Sequence, residues 1–475
     1  MTAFDPAAVR TFRFLDHAFD AATGEATLAY AFDDGPRLVE TVRFPGAPFA
    51  LDGDRAAAVD RALRLLHLIA GVSYYKAAAP PAIAIDGEPI DAATAAFLQS
   101  VYENGLGEFA YRNGLQLRGR IRFPSADPDP AGAASAATGR REASAEEPSR
   151  LKPLLRGGES ALVAIGGGKD SLVTIEALRA LGIPQTVVWV GASPLIAACA
   201  AHTGLPTLQI GRALSPLLFE YNRQGALNGH IPVTAVNSAI LAVAALLHGH
   251  SHVVFSNERS ASYGSRIVDA DGRVTDEVNH QWSKGFDFER MFAAHLRSHV
   301  DPGLHYWSAL RPFSELAVAR QFARLDRYDR HFSSCNRNFH ILGERPAQRW
   351  CGVCPKCHFV FLALAPFMPK PRLMAIFGRN LLDDADQAAG FDALMEYRDH
   401  KPFECVGEGR ESRAAMEALA DSPAWREDAL VRRYREEIRP QLAPEDRSLA
   451  PLLVPADDHA IPDGLWERLR AHFGA

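Results

Sequence analysis

The chain has 475 residues, 47% of them hydrophobic and 23% charged, with a formal net charge of −6. The length leaves room for about three domains, and the composition excludes a fibrous or mostly disordered chain. The mild acidic balance argues against a protein that coats nucleic acid, because neutralising phosphates requires a basic surface. The segment MTAFDPAAVRTFRFLDHAF shows no basic patch followed by an apolar run, so no signal peptide is expected. The longest apolar stretches, such as Ala239 to Leu247, fall far short of the roughly 20 residues of a membrane helix. A cytoplasmic protein with neither nucleic acid nor membrane as a partner is expected; the oligomeric state is not legible.

Residues 1–123 read as an α+β domain. Thr11 to Leu15, Ala26 to Ala31 and Leu38 to Phe44 mix β-branched and aromatic residues and predict strands, with Asp33-Asp34-Gly35-Pro36 as the turn between the last two. Arg55 to Ala70 carries apolar residues at helical spacing, and Ala92 to Asn104 predicts a second helix capped by Asp91. Residues 124–152 hold almost only small, proline and charged residues, which bury too little to offset ordering, so they predict a disordered linker.

A catalytic domain is expected over 153–370. Ala161 to Ile165 is an apolar run, followed by a glycine cluster and then Leu172, Ile175, Leu178 and Leu181 at helical spacing. Thr186 to Val190 is a second apolar run, so the stretch predicts a βαβ unit of a parallel sheet. Thr207 to Ile210 and His252 to Ser256 predict further strands, with an apolar helix over Val236 to Leu247. Residues 371–475 predict a charged helical region, including Ala414 to Ala420 and Trp425 to Glu437.

The cluster Gly166-Gly167-Gly168-Lys169-Asp170-Ser171 lies between the predicted strand and helix. Glycines let backbone amides close on a phosphate, and a helix N-terminus adds partial positive charge. It is not a Walker A loop, because Asp170 follows the lysine and Val163 stands where the earlier glycine belongs. It is not a dinucleotide loop either, because Ser171 stands where the last glycine belongs. It resembles the S-G-G-x-D-S loop of the PP-loop ATP pyrophosphatases, with Gly166 in place of the leading serine. That resemblance implies ATP bound through Gly166, Gly167, Gly168, Lys169, Asp170 and Ser171, with Asp170 holding Mg²⁺. Trp189, at the end of the second strand, is a candidate adenine contact or a packing residue.

Cys335, Cys351, Cys354 and Cys357 are spaced C-x15-C-x2-C-x2-C. Four thiolates complete a closed tetrahedral shell, which predicts structural zinc, with an iron–sulfur cluster as the alternative and His358 as a substitute ligand. The other two cysteines, Cys199 and Cys405, are isolated in sequence and predict small core residues.

A pyrophosphatase loop followed by a four-cysteine cluster is similar to 7-cyano-7-deazaguanine synthase, of which Asn228-Gly229-His230-Ile231-Pro232 is a weaker echo. The length and the additional N-terminal domain resemble instead the UDP-N-acetyl-α-D-muramoyl-L-alanyl-L-glutamate epimerase (MurL) family. The similarity is carried by Leu65 to Lys76, Gly166 to Ser171 and Arg349 to Cys357. It implies an α/β fold whose catalytic domain is a PP-loop, adenine nucleotide alpha hydrolase-like (Rossmann-like) parallel sheet. It implies a cytoplasmic isomerase of peptidoglycan synthesis that acts on a nucleotide-sugar peptide. In that reaction a terminal L-glutamate is inverted, and ATP becomes AMP and diphosphate.

The candidate residues for the chemistry follow. Lys169 would neutralise phosphate charge. Glu258 and Arg259 stand at a strand end, where open parallel sheets place their ligands, as candidate base and carboxylate clamp. His280 and Lys284 lie in a polar run that forms a second wall, and Ser73 to Lys76 either touches substrate or covers its sheet. Two other classes stand beside the epimerase: an ATP-driven nucleobase- or tRNA-modifying enzyme, and a non-catalytic zinc-stabilised nucleotide sensor. Asp170 and Ser171 favour catalysis, since binding alone needs no Mg²⁺ carboxylate.

Overall fold

The computed structural model describes residues 4–126, 151, 154, 158–268, 274–339, 345–398 and 401–474. Its strands are β1 (Thr11–Asp20), β2 (Glu25–Phe32), β3 (Leu38–Arg43), β4 (Ala82–Ile85), β5 (Ala161–Ala164), β6 (Gln185–Val190), β7 (Thr207–Ala213), β8 (His252–Phe255), β9 (Ser265–Val268), β10 (Val274–Val278) and β11 (His305–Ser308). Its helices include α1 (Gly53–Ala70), α2 (Ala92–Gly105), α3 (Lys169–Ala180), α4 (Val233–His248), α5 (Glu315–Phe322), α6 (Pro355–Leu364) and α7 (Gly409–Ala420). The fold is α/β. No helix among the described residues is long and apolar enough to cross a membrane. The linker expected over 124–152 lies, apart from residues 124–126 and 151, outside the described residues.

Two compact units form, each from three stretches of chain. The first comprises Met1–Glu159, Gln209–Val253 and Phe288–Tyr306. Its strand order is β7-β3-β2-β1-β4. β1 and β2 pair antiparallel, with Phe12 opposite Phe32 and Phe14 opposite Tyr30, and a bulge follows Phe14. Alternation sends Phe12, Phe14, Leu28 and Tyr30 fully inside, while the bulge lets the outer half of β1 turn its side chains to solvent. The turn after β2 forms where Asp33-Asp34-Gly35 predicts it, with the Asp33 carboxylate accepting the Thr11 amide at 2.8 Å. Asp91 caps α2 by accepting from the Thr94 amide at 2.7 Å. The apolar helix α4 packs along α1.

The second unit comprises Ser160–Leu208, Val254–Asp287 and Trp307–Ala475. Its strand order is β11-β8-β5-β6. β5 and β6 are parallel, from Ala161 opposite Gln185 to Ala164 opposite Val188, and α3 connects them. β5 and the Val187–Val190 part of β6 are short apolar runs, as expected where both faces of such a sheet are covered. The β9–β10 hairpin, β4 and β11 are too short or too polar to stand out in the sequence. After β11 the described residues are helical or irregular. The helix predicted over Trp425 to Glu437 starts late: an α-helix covers Ala429–Arg433 and continues into a π turn, Tyr434–Ile438. Pro423 and the extended Asp428, whose carboxylate is taken by Lys370, delay its start.

Candidate active site

The glycine cluster sits between β5 and α3 in the second unit. Gly167 has φ +79°, a left-handed conformation that side chains resist. A Cβ on Gly168 would lie 2.5 Å from Ser334 Oγ, so the chain approaches the loop closely at that point. Ser333 fixes the loop from the same side: its amide donates to Gly167 O at 2.9 Å. With Gly168 extended as N-cap, Lys169 and Asp170 open the helix.

Lys169 is 1% exposed and pairs with both Asp170 and Glu315. Burial alone would lower its pKa, but the two carboxylates hold it raised and charged. Asp170 is half-buried, and desolvation opposes its ionisation, yet Lys169, Lys356 and Lys284 keep its carboxyl below the usual range. Glu315 is pushed up to about 7 by burial, only partly offset by Lys169. Glu258 is raised as well, first by burial and then by the Asp170 charge. Three carboxyls, Asp170, Glu315 and Glu258, are thus crowded at the helix start, and only Lys169 forms ion pairs with them among the described residues.

Arg311, 2% exposed, fastens the next part of the cluster. Its guanidinium donates to Glu258 O at 2.8 Å and to Lys284 O at 2.5 Å. The Lys284 ammonium donates to Cys405 Sγ at 3.1 Å. His280 also hydrogen-bonds that thiol. Lys356, from the first turn of α6, donates to the Cys405 carbonyl. Arg259 points elsewhere, its Nη1 reaching Val454 O at 3.4 Å. Trp189 is buried in the core, with its Nε1 lacking a hydrogen-bond partner among the described residues.

The four cysteines converge. All four Sγ atoms lie within 4.8 Å of one another, with Cys354 and Cys357 3.4 Å apart and Cys351 and Cys357 3.7 Å apart. Zinc–sulfur bonds of about 2.3 Å place tetrahedral sulfurs about 3.8 Å apart, so the cluster can hold a zinc ion. Hydrogen bonds from Cys354 and Cys357 hold the Cys335 thiol low and push their own thiols up, that of Cys354 to about 12. Such crowding calls for a cation. His358 faces away, its Nε2 2.6 Å from Gln387 Oε1. The cluster is also tied to the glycine loop, since Ser333 Oγ donates to Arg349 O at 2.6 Å while the Ser333 amide holds Gly167.

Comparison with known proteins decides the family. The model of the MurL N-terminal domain matches residues 3–309 and that of the MurL C-terminal domain residues 331–449. A UDP-N-acetyl-alpha-D-muramoyl-L-alanyl-L-glutamate epimerase of Xanthomonas oryzae pv. oryzae (strain MAFF 311018) is 66% identical over 473 residues, covering 100% of both chains. The chain belongs to the MurL family. Proteins of the same name from Micromonospora sp. and Salinispora tropica are 41% and 42% identical, covering 95% and 88% of this chain and 96% and 87% of theirs.

In this MurL chain the structure gathers Lys169, Asp170, Glu258, His280 and Lys284 into one charged cluster and leaves Arg259 turned to Val454. Sequence reasoning missed Glu315, Lys356 and Cys405. Glu315 follows the helix cap Ser314, and Lys356 stands inside the cysteine motif, which are weak signals in hindsight. Cys405 is not the core residue its isolation predicts: it is half-buried among cations. Cys199 is fully buried, and burial pushes its thiol up to about 12. In the first unit, Ser73 to Lys76 is buried, and Lys76 bonds Asn228, joining two of the sequence segments singled out above.

Proposed function

We propose that the chain inverts the terminal L-glutamate of UDP-N-acetylmuramoyl-L-alanyl-L-glutamate, with ATP converted to AMP and diphosphate. The names of three relatives that span most or all of the chain support the substrate and the inversion. The observation that carries the ATP-driven route is the buried Lys169 at the start of α3, behind a glycine loop and between two carboxylates.

The α-proton beside an ionised carboxylate is barely acidic, because its carbanion would adjoin a negative charge. Joining that carboxylate to AMP removes the charge, and the acyl-adenylate can then enolise. The amides of Gly167 and Gly168 and the Ser171 hydroxyl would bind the phosphates, with Gly166 beside them. Nothing lies within 4 Å of a Cβ built on Gly166, so a phosphate has room there. Lys169 would offset the charge that develops as diphosphate leaves. Asp170, held ionised, fits a Mg²⁺ ligand, and that ion would supply charge neutralisation of the phosphates. Trp189 is the candidate adenine contact, and Arg259 would have to turn from Val454 to hold a substrate carboxylate. Glu258 is a carboxyl that transfers a proton at the α-carbon, with His280 and Lys284 beside it.

Cys335, Cys351, Cys354 and Cys357 would hold a closed, structural zinc that fixes Ser333 and Ser334 against the glycine loop. The catalytic unit is read as a PP-loop domain of the adenine nucleotide alpha hydrolase-like type, and such a substrate and ATP are met in the cytoplasm. The test is incubation with ATP, Mg²⁺ and the L-glutamyl substrate in deuterated water. The reading expects AMP, and D-glutamate carrying α-deuterium after hydrolysis. Absence of both would contradict it.

A further inference from the structure

Inversion at a carbon takes a proton from one face and returns one to the other. A carboxyl fixed by its backbone does not reach both faces, so Glu258 alone leaves the reaction one group short. The cluster around Arg311 supplies a second. Arg311 binds the carbonyls of Glu258 and Lys284 at once, and the Lys284 ammonium lies 3.1 Å from Cys405 Sγ. Arg311 thus ties together the backbones that carry Glu258 and Lys284, and the Lys284 ammonium, which feels the Glu258 charge, bonds the thiol.

We infer that Cys405 and Glu258 are the two proton-transfer groups of the epimerisation, Cys405 acting on the L-glutamyl centre and Glu258 on the face opposite. The inference rests on the epimerase reading above. In the step, the Cα–H bond breaks and an S–H bond forms at Cys405. The electron pair moves to the carbonyl oxygen of the acyl-adenylate as an enolate. The Glu258 carboxyl then gives its proton to the other face of Cα, and the enolate returns to the carbonyl. Solvent restores a thiolate at Cys405 and a carboxylic acid at Glu258.

Four observations support these roles. Lys284 and His280 both bond the thiol, and a thiol packed only for its volume needs neither. Cations there hold Cys405 well below the ordinary range against its burial, Lys284 first, then the His280 hydrogen bond and Lys356. Glu258 is shifted the other way, its carboxyl raised above the usual range by burial first. Ser260, two residues from Glu258 and 1% exposed, has an Oγ without a hydrogen-bond partner among the described residues, the kind of orphan a bound substrate satisfies. Cys199 is the internal contrast, a buried thiol with no lysine bonded to it among the described residues, and burial raises its pKa.

The test separates the two halves of the reaction in full-length C405A, C405S and E258Q. Substrate-dependent exchange of labelled diphosphate into ATP reads adenylation; deuterium at the glutamate α-carbon reads proton transfer. In C405A and C405S, deuteration is expected to fall on the order of 100-fold or more, while diphosphate exchange falls far less. E258Q is expected to return deuterated L-glutamate and little D-glutamate, because only the return to the second face is blocked. Deuteration of C405A and C405S at the wild-type rate would overturn the assignment. So would loss of diphosphate exchange together with deuteration in both, which would make the thiol a structural support. If the wild-type protein shows neither exchange nor deuteration, the epimerase reading itself falls; if only the variants behave wrongly, that reading stands and this assignment falls.

Discussion

In the first unit the buried charge is settled locally. Glu40, fully buried, meets the Arg212 guanidinium at 2.7 and 3.2 Å, and the same guanidinium reaches Ser73 Oγ at 3.0 Å. Burial would lower the Arg212 pKa, and Glu40 more than restores it. In the second unit Lys169 pairs with two carboxylates at once, and among the described residues Glu258 and Glu411 form no ion pair, with Lys284 and Lys356 acting on Glu258 only through space. There Glu315 and Glu411 are pushed up to about 7. A satisfied pair holds a fold; an over-supplied set of carboxyls stores charge that a ligand can use, which is where functional sites are found.

Breaking each arrangement should therefore hurt different things. Arg212→Met leaves Glu40 buried and unpaired, which should cost about 3–5 kcal/mol of stability. Urea unfolding would read that loss, while turnover per folded molecule stays near wild type. Lys169→Met should do the reverse. It removes positive charge where diphosphate leaves, so AMP formation should fall about 10²–10³-fold. Its melting temperature should move little, because Glu315 can take up a proton instead. A large loss of stability in Lys169→Met would erase the contrast between the two units.

The third prediction concerns pH. Glu411 is raised by burial first, then by Glu408 and Glu315, from an ordinary 4.5 to about 7. A raised folded-state pKa means that the folded protein holds its proton after the unfolded chain has lost it. Its stabilising contribution is complete below about pH 4.5 and lost as pH rises through about 7. Glu411→Gln removes that titration, so between pH 5 and 8 its melting temperature should decline less than that of wild type. The difference should correspond to about 1–3 kcal/mol. Parallel declines would show that the crowding does not reach Glu411.

The smallest effect belongs to the loop. Gly167→Ala forces a side chain onto φ +79°, a cost of about 1–2 kcal/mol. It should appear as a weaker KM for ATP rather than as unfolding. An unchanged KM would mean that the loop conformation is not what binds phosphate.

What the sequence makes legible follows chain distance. The glycine loop lies within six consecutive positions, and three of the four cysteines stand at x2 spacing, so both can be read directly. The strands and helices around them are legible too, because apolar runs and helical spacing are local signals. Glu315 is 146 residues from Lys169, and Cys405 is 121 from Lys284. Neither pairing has a local signature; each exists only because the parallel sheet and the C-terminal helices bring distant segments together. Cys405 is the sharpest case. Isolation in sequence makes it look inert, and only its surroundings give it a charge.

The measurement that tests the account most directly follows oxygen rather than hydrogen. The substrate is prepared with ¹⁸O in its glutamate α-carboxylate, and the AMP formed during epimerisation is weighed by mass spectrometry. If that carboxylate is adenylated and water then attacks the acyl carbon, one ¹⁸O leaves with each AMP while D-glutamate accumulates. D-glutamate formed alongside AMP that carries no ¹⁸O, with AMP taking no oxygen from ¹⁸O-labelled water in a companion run, would contradict the acyl-adenylate route, and with it the role given to the crowded carboxyls of the second unit.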